Sequence, residues 1–273
     1  MIELPEAVTI AAQMRDVLVG SVFVRAVIAE DRPRFLFVTD DFGPRLAGRQ
    51  IVDVSSTGKW IFAEFDDGEF LTLGEFGGRF QLHEATEDLP KKRHVTLELE
   101  GGRVLTLAIQ MWGFLAVQSP QERADHPYAG TLGPSPLDPS FDLARWNEIL
   151  DAYLERENKP VKAFLTHEAN VCGIGNGYLQ DILFRAHLSP KRKVKSLDAY
   201  DRSNLYHALR DTLEEAIDLG GRDTERTLFG EPGDYVPLLD KRIVGNPCPR
   251  CGTPIDKIQY LGGSCYLCPS CQT

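Results

Sequence analysis

The sequence predicts an α+β, multidomain chain: an antiparallel β-sandwich with flanking helices, then a helical domain, then a small cysteine-held ribbon. Three observations predict it. Between residues 21 and 117, short β-branched and aromatic runs alternate with turns. After a proline-rich stretch, the apolar spacing becomes helical. The last 26 residues hold five of the six cysteines.

Residues 7–19, AVTIAAQMRDVLV, form an expected amphipathic helix with Ile10, Met14, Val17 and Leu18 at helical spacing. Pro5 sits where a first turn tolerates it. The expected strands are SVFVRAVI, RFLFVT, QIVDVSS, KWIFAEF, EFLTLGEF, HVTLELE, RVLTLAI and FLAV. Asp67-Gly68, Gly77-Gly78 and Gly101-Gly102 break the pattern. These elements define a first domain over 1–120. Residues 119–140 contain five prolines, so 121–140 reads as a linker. Helical segments at 142–157, 159–171, 178–188 and 197–221 define a second domain over 141–245, with an irregular stretch from 222. The cysteine module, 246–273, ends the chain. No internal repeat is visible.

The 273 residues carry a net charge of −10, which on totals argues against a nucleic-acid binder. Local charge matters more than the total, however. Lys91-Lys92-Arg93-His94 and the run from Lys191 to Lys195 are basic clusters, either solvated surface or phosphate contacts. No stretch approaches the ~18–20 apolar residues of a membrane span. The first residues lack a basic-then-apolar signal pattern, so a cytoplasmic location is the default. Disulfides are not expected in such a chain.

Cys248-Pro-Arg-Cys251 and Cys268-Pro-Ser-Cys271 are separated by sixteen residues. Two close thiolate pairs on a hairpin suit a tetrahedral, structural Zn2+ with no open position for chemistry. So small a module cannot build a core, and the metal replaces one. Cys265 reads as a bystander, and Cys172 as a small buried residue. The fingertip is Gln259-Tyr260-Leu261-Gly262-Gly263-Ser264. Between two expected helices lies Gly173-Ile174-Gly175-Asn176-Gly177-Tyr178. Its following helix N-terminus, with Asn176 and Lys162 nearby, offers a phosphate site. An ordinary helix–helix turn needs the same glycines.

Three separated elements now line up: Glu3-Leu4-Pro5-Glu6 opening a helix, Lys162 followed by the Gly-Ile-Gly-Asn turn, and the terminal CxxC…CPxCQ. In this order they resemble the bacterial formamidopyrimidine-DNA glycosylase and endonuclease VIII family over essentially the whole chain. Gly58-Lys59-Trp60, Leu132-Gly133-Pro134 and Asn158-Lys159-Pro160 add to the match. The resemblance implies a helix–two-turn–helix domain between the sandwich and a zinc finger. It implies a monomer that binds damaged double-stranded DNA, active at the nucleoid, with no membrane partner. It also implies excision of oxidised bases, with the nucleotide flipped out, followed by strand cleavage.

In that family the nucleophile is the amine of a proline exposed on removal of the initiator methionine. An α-amine titrates near 8, against roughly 10.4 for lysine, so more of it is free base at neutral pH. Here the position is Ile2, whose bulk discourages removal of Met1. If Met1 stays, the free amine moves out by up to ~3.8 Å. A displacement of ~1 Å can cost about a hundredfold in rate. Glu3 and Glu6 match the family carboxylates, and Glu3 could activate a water. Lys59 matches a lysine near the DNA backbone, either a phosphate contact or a substitute amine.

The gap-filling residues implied by the resemblance are Phe76, Met111 and Trp112, wedges that could unstack DNA. The arginine that would pair with the orphaned base is missing. The finger's phosphate-clamping arginine is replaced by Gly263, whereas Lys162 and Asn176 are retained. The expected function is therefore a base-excision glycosylase with altered or weak AP-lyase activity. The alternative is a non-catalytic relative that recognises abasic, nicked or kinked DNA.

Overall fold

Helix α1, Leu4–Leu18, begins three residues before its apolar repeat because a capping box links Glu3 and Glu6. The Glu3 amide donates to the Glu6 carboxylate at 2.8 Å. Ile10, Met14 and Leu18 share one buried face, each contributing roughly 1.5–3 kcal/mol of burial. The computed structural model describes residues 1–84 and 89–273. These divide into two units: Met1–Thr131 with Ala216–Tyr235, and Leu132–Glu215 with Val236–Thr273.

The first unit continues with β1 (Phe23–Ile28), β2 (Leu36–Val38), α2 (Phe42–Leu46), β3 (Ile51–Thr57), β4 (Trp60–Phe65) and β5 (Phe70–Gly74). Then come β6 (Gly78–His83), β7 (Val95–Leu99), β8 (Val104–Ile109), β9 (Gly113–Gln118) and α3 (Pro120–Ala124). One sheet has the order β1-β7-β8-β6 and the other β2-β9-β5-β4-β3. Their buried residues and those of α1 form one core, which includes Phe23, Phe65, Phe76 and Phe80.

Three details depart from expectation. The second sheet is mixed, because β2 runs parallel to β9. No hairpin joins residues 38 and 113, so no turn forces the antiparallel sense. Strand β6 was not expected: it opens on glycine and alternates only two apolar residues, Phe80 and Leu82, with polar ones. It pairs along its length with β8. The supposed linker 121–140 is partly helical, since Ser119 caps α3 by accepting from the Glu122 amide at 3.2 Å. That Ser-x-x-Glu signature was present in the sequence.

The second unit contains α4 (Leu143–Arg156), α5 (Val161–Leu165), α6 (Asn176–Arg185), β10 (Asp256–Tyr260), β11 (Gly263–Leu267) and all of α7 (Ala199–Asp218) but its last three residues. Asp142 caps α4 by accepting from the Arg145 amide at 2.8 Å. Helix α5 is far shorter than the 159–171 segment, since residues 166–175 turn back and Gly173 takes φ 91°. The sequence division at 141–245 does not follow the units either. Residues 216–235 belong with the first unit, where Leu228 enters the core and its amide donates to Gln13 at 2.9 Å. Among the described residues, no helix is long and apolar enough to cross a membrane.

Candidate functional site

The start of α1 brings together the candidate catalytic groups. Glu3 and Glu6 are 4% and 2% exposed, a burial that carboxylates tolerate only when paired. Their partner is Arg222. Its Nε donates to Glu6 Oε1 at 3.0 Å and its backbone N–H to the same oxygen at 3.1 Å. Its Nη1 reaches Glu3 Oε1 at 3.4 Å, and its Nη2 donates to the Met1 carbonyl at 2.8 Å. Gly221 permits this approach. It takes φ 92°, and a Cβ there would meet the Glu6 side chain at 3.0 Å. The Met1 ammonium donates to Glu225 Oε1 at 3.0 Å.

Ile2 is in the core, and its backbone N–H donates to the Phe76 carbonyl at 3.1 Å. With Met1 in place this nitrogen is an amide engaged elsewhere, not a nucleophile. Met1 instead lines a cavity of about 150 Å³ with Gly77, Arg79, Met111, Glu225 and Arg226. Arg222 and Glu225 were missed in the sequence because they pair with residues more than 200 positions away.

The expected wedges separate. Phe76 is 1% exposed and packs edge-on to Phe80, so it fills the core and cannot enter a base stack in this structure. Met111 and Trp112 are exposed by 56% and 49%. Lys59, at the turn between β3 and β4, is mostly buried and does not line the Met1 cavity. Its carbonyl accepts from the Glu75 amide at 3.4 Å. Of the basic clusters, Arg93 and His94 are spent internally: His94 Nδ1 accepts from the Ile109 amide at 2.9 Å, and Arg93 donates to the Pro90 carbonyl at 2.8 Å.

In the second unit, Lys162 is 2% exposed. It donates to the Tyr260 carbonyl at 2.8 Å and lies 3.3 Å from Cys265 Sγ. The sequence expectation was a phosphate contact; in this structure the amine holds the fingertip hairpin. Gln180 on α6 fixes the same hairpin, accepting from the Tyr266 amide at 3.1 Å. Asn176 opens α6, and its amide lies against Gly263, where a Cβ would come within 2.7 Å of Nδ2. Glycine at 263 is what lets the asparagine pack there. The tip bends through Leu261 (φ 48°) and Gly262 (φ 74°), the two positive values of a tight hairpin turn.

The Sγ atoms of Cys248, Cys251, Cys268 and Cys271 all lie within 4.8 Å of one another. Cys248–Cys271 is 3.9 Å and Cys251–Cys268 is 3.5 Å. Four sulfurs about 2.3 Å from a central ion would sit roughly 3.8 Å apart, so the set fits a tetrahedral metal. Cys265 stands outside the cluster, as expected. Hydrogen bonding with Thr253 holds the Cys251 thiol down at about 6, and the Cys251 contact pushes Cys271 up to about 12. Phe184, Leu239 and Ile255 pack around the thiols.

Residues 1–114 match the formamidopyrimidine-DNA glycosylase N-terminal domain, and residues 132–227 match the formamidopyrimidine-DNA glycosylase H2TH domain. A formamidopyrimidine-DNA glycosylase of Rhodopseudomonas palustris is 32% identical, with all of both chains covered. The chain belongs to the formamidopyrimidine-DNA glycosylase family. A Listeria innocua formamidopyrimidine-DNA glycosylase is 28% identical, again over the full length of both. Among solved structures, the MutM (Fpg) protein of Thermus thermophilus superposes with a TM-score of 0.82 at 29% identity, covering 99% of this chain and 98% of the other. Lactococcus lactis Fpg in complex with abasic-site DNA gives 0.83 at 26% identity, covering 99% of each. Within this glycosylase family, Ile2 stands where the resemblance led to the expectation of a proline.

Proposed function

We propose that the chain is a base-excision DNA glycosylase acting on oxidised bases in damaged duplex DNA, with weak AP-lyase activity. The observation that carries this is the corner at α1. Both family carboxylates are kept, buried and clamped by Arg222, while the residue 2 nitrogen is a hydrogen-bonded amide. The everted nucleotide would enter the cavity beside Met1, with Arg79 and Arg226 supplying positive charge at its wall. Glu3 takes a proton from a water molecule, whose oxygen bonds to C1′ as the C1′–N bond breaks. The proton passes on to the departing base.

Any residual lyase adduct would use the Met1 amine, which Glu225 holds at the cavity. Lys59 serves as a backbone-side lysine in this reading. Met111 and Trp112 fill the gap in the stack, and Asn176 with the hairpin meets phosphates. The four cysteines hold a structural Zn2+, and the chain works as a monomer at the nucleoid. The buried Lys162 and the glycine at 263 favour the second reading, a non-catalytic binder of abasic, nicked or kinked DNA.

The test uses abasic-site and oxidised-base duplexes with and without borohydride, comparing wild type with Glu3→Gln. The expected result is base release with little trapped adduct. Glu3→Gln should lose about 10²–10⁴-fold in base release and still bind the duplex. Quantitative trapping would refute weak lyase chemistry. Binding with neither product would leave the non-catalytic reading. N-terminal mass analysis is expected to find Met1 in place.

A further inference from the structure

A second cavity, of about 450 Å³, lies in the first unit and is walled by aromatic rings. Trp112 stacks on Phe37, with centroids 4.9 Å apart and planes at 24°. Trp60, Phe114 and His126 form an edge-to-face cluster with separations of 4.5 to 5.6 Å, and Tyr128 stands at the rim, 62% exposed. Such walls suit a flat π system, because every nucleobase has a stacking face.

The polar groups are few and specific. His126 Nδ1 accepts from the amides of Tyr128 and Ala129 at 3.3 and 3.0 Å. That assigns the proton to Nε2, leaving the ring one donor. Burial holds its pKa below the ordinary histidine value, so the neutral form persists at physiological pH. The indole N–H of Trp60 is buried without a partner among the described residues. Glu75 lines the same cavity and takes φ 48°, a conformation rare outside glycine. A carboxylate there can accept from an exocyclic amine such as cytosine N4.

Position decides the occupant. Gln110, Met111 and Trp112 form one short loop, anchored by the Gly77 carbonyl and by the Gly77 amide donating to the Trp112 carbonyl at 2.9 Å. Met111 lines the cavity that holds the Met1 amine, whereas its neighbour Trp112 lines the aromatic one. The loop is a partition with a different cavity on each side.

We propose that the aromatic pocket receives a nucleobase carrying an exocyclic amine, namely the base left unpaired opposite the everted nucleotide. This rests on the glycosylase reading. The chain thereby reads the opposite strand by stacking and two hydrogen bonds, in place of the missing arginine.

The test is photocrosslinking. A duplex carrying 5-iodocytosine opposite a tetrahydrofuran abasic analogue is irradiated with the full chain, and the adduct is mapped by peptide mass. Attachment at Phe37, His126 or Tyr128 is expected. A bound duplex with no adduct, or with adducts at Met111 alone on the far side of the loop, would overturn the pocket while leaving the glycosylase reading intact. Failure to bind the duplex would sink both. Phe37→Ala and Tyr128→Ala, at exposed positions, should weaken binding about tenfold when cytosine is opposite the analogue. They should have no effect when that position also lacks a base. An equal loss on both duplexes would reject base capture.

Discussion

The corner at the start of α1 and the cysteine ribbon are both built around polar groups that cannot be buried alone, and they solve that problem differently. In the ribbon, four cysteines lie within 24 residues of one another, and two short CxxC spacings bring them together. In the corner, Glu3 and Glu6 depend on Arg222, more than 200 residues away. A local motif keeps its geometry whatever residue stands at the tip of its hairpin. A long-range cluster changes its chemistry when any one distant member changes.

The largest effect is expected on removing the proposed metal. Chelation, or Cys248→Ser, should unfold the ribbon, since structural zinc contributes on the order of 10 kcal/mol or more. Hydrogen exchange should report loss of protection in β10 and β11 with the β-sandwich strands unchanged. Arg222→Ala comes next. It leaves two buried carboxylates without their clamp and should cost about 3–5 kcal/mol, read from urea melts. Arg222→Lys should recover only part, because lysine cannot reach both acids and the Met1 carbonyl with one fork.

Gly263→Ala tests the fingertip. The added methyl meets the Asn176 amide, and the overpacking should cost about 1–3 kcal/mol less any relief from side-chain rotation. An unchanged melt would show that Asn176 swings away freely. The smallest effect concerns a pair belonging to neither region. Hydrogen bonds from Arg45 hold the Glu122 carboxyl at about 2, below its ordinary value near 4.3. Its folded pKa is depressed, so the stabilisation is complete above about pH 4.5 and disappears as pH falls toward 2. The carboxylate is 51% exposed, so screening limits the effect to under about 1 kcal/mol. Glu122→Gln should lower the urea midpoint slightly at pH 7 and not at pH 2.

What could be read from the sequence follows the same division. The cysteine spacing, the α1 repeat and the regular strands are local patterns, and the structure contains them. Strand β6 escaped because polar residues alternate with its two apolar ones, and α3 because its Ser-x-x-Glu cap sits among prolines. Phe76 looked like a wedge from its place beside Gly77, but only the packing of both sheets shows it to be core. Lys162 kept its position in the motif and turned out to hold a carbonyl. The aromatic pocket draws on five separate stretches of chain, and no spacing rule joins Phe37 to His126.

The capping box of α1 also bears on how the chain is made. Glu6 both caps the first helix and accepts from Arg222. During synthesis the helix leaves the ribosome long before residue 222 exists, with two carboxylates still in water. The corner can close only when about four-fifths of the chain has emerged, so a truncated product can carry the sandwich strands but never the closed cluster of Glu3, Glu6 and Arg222.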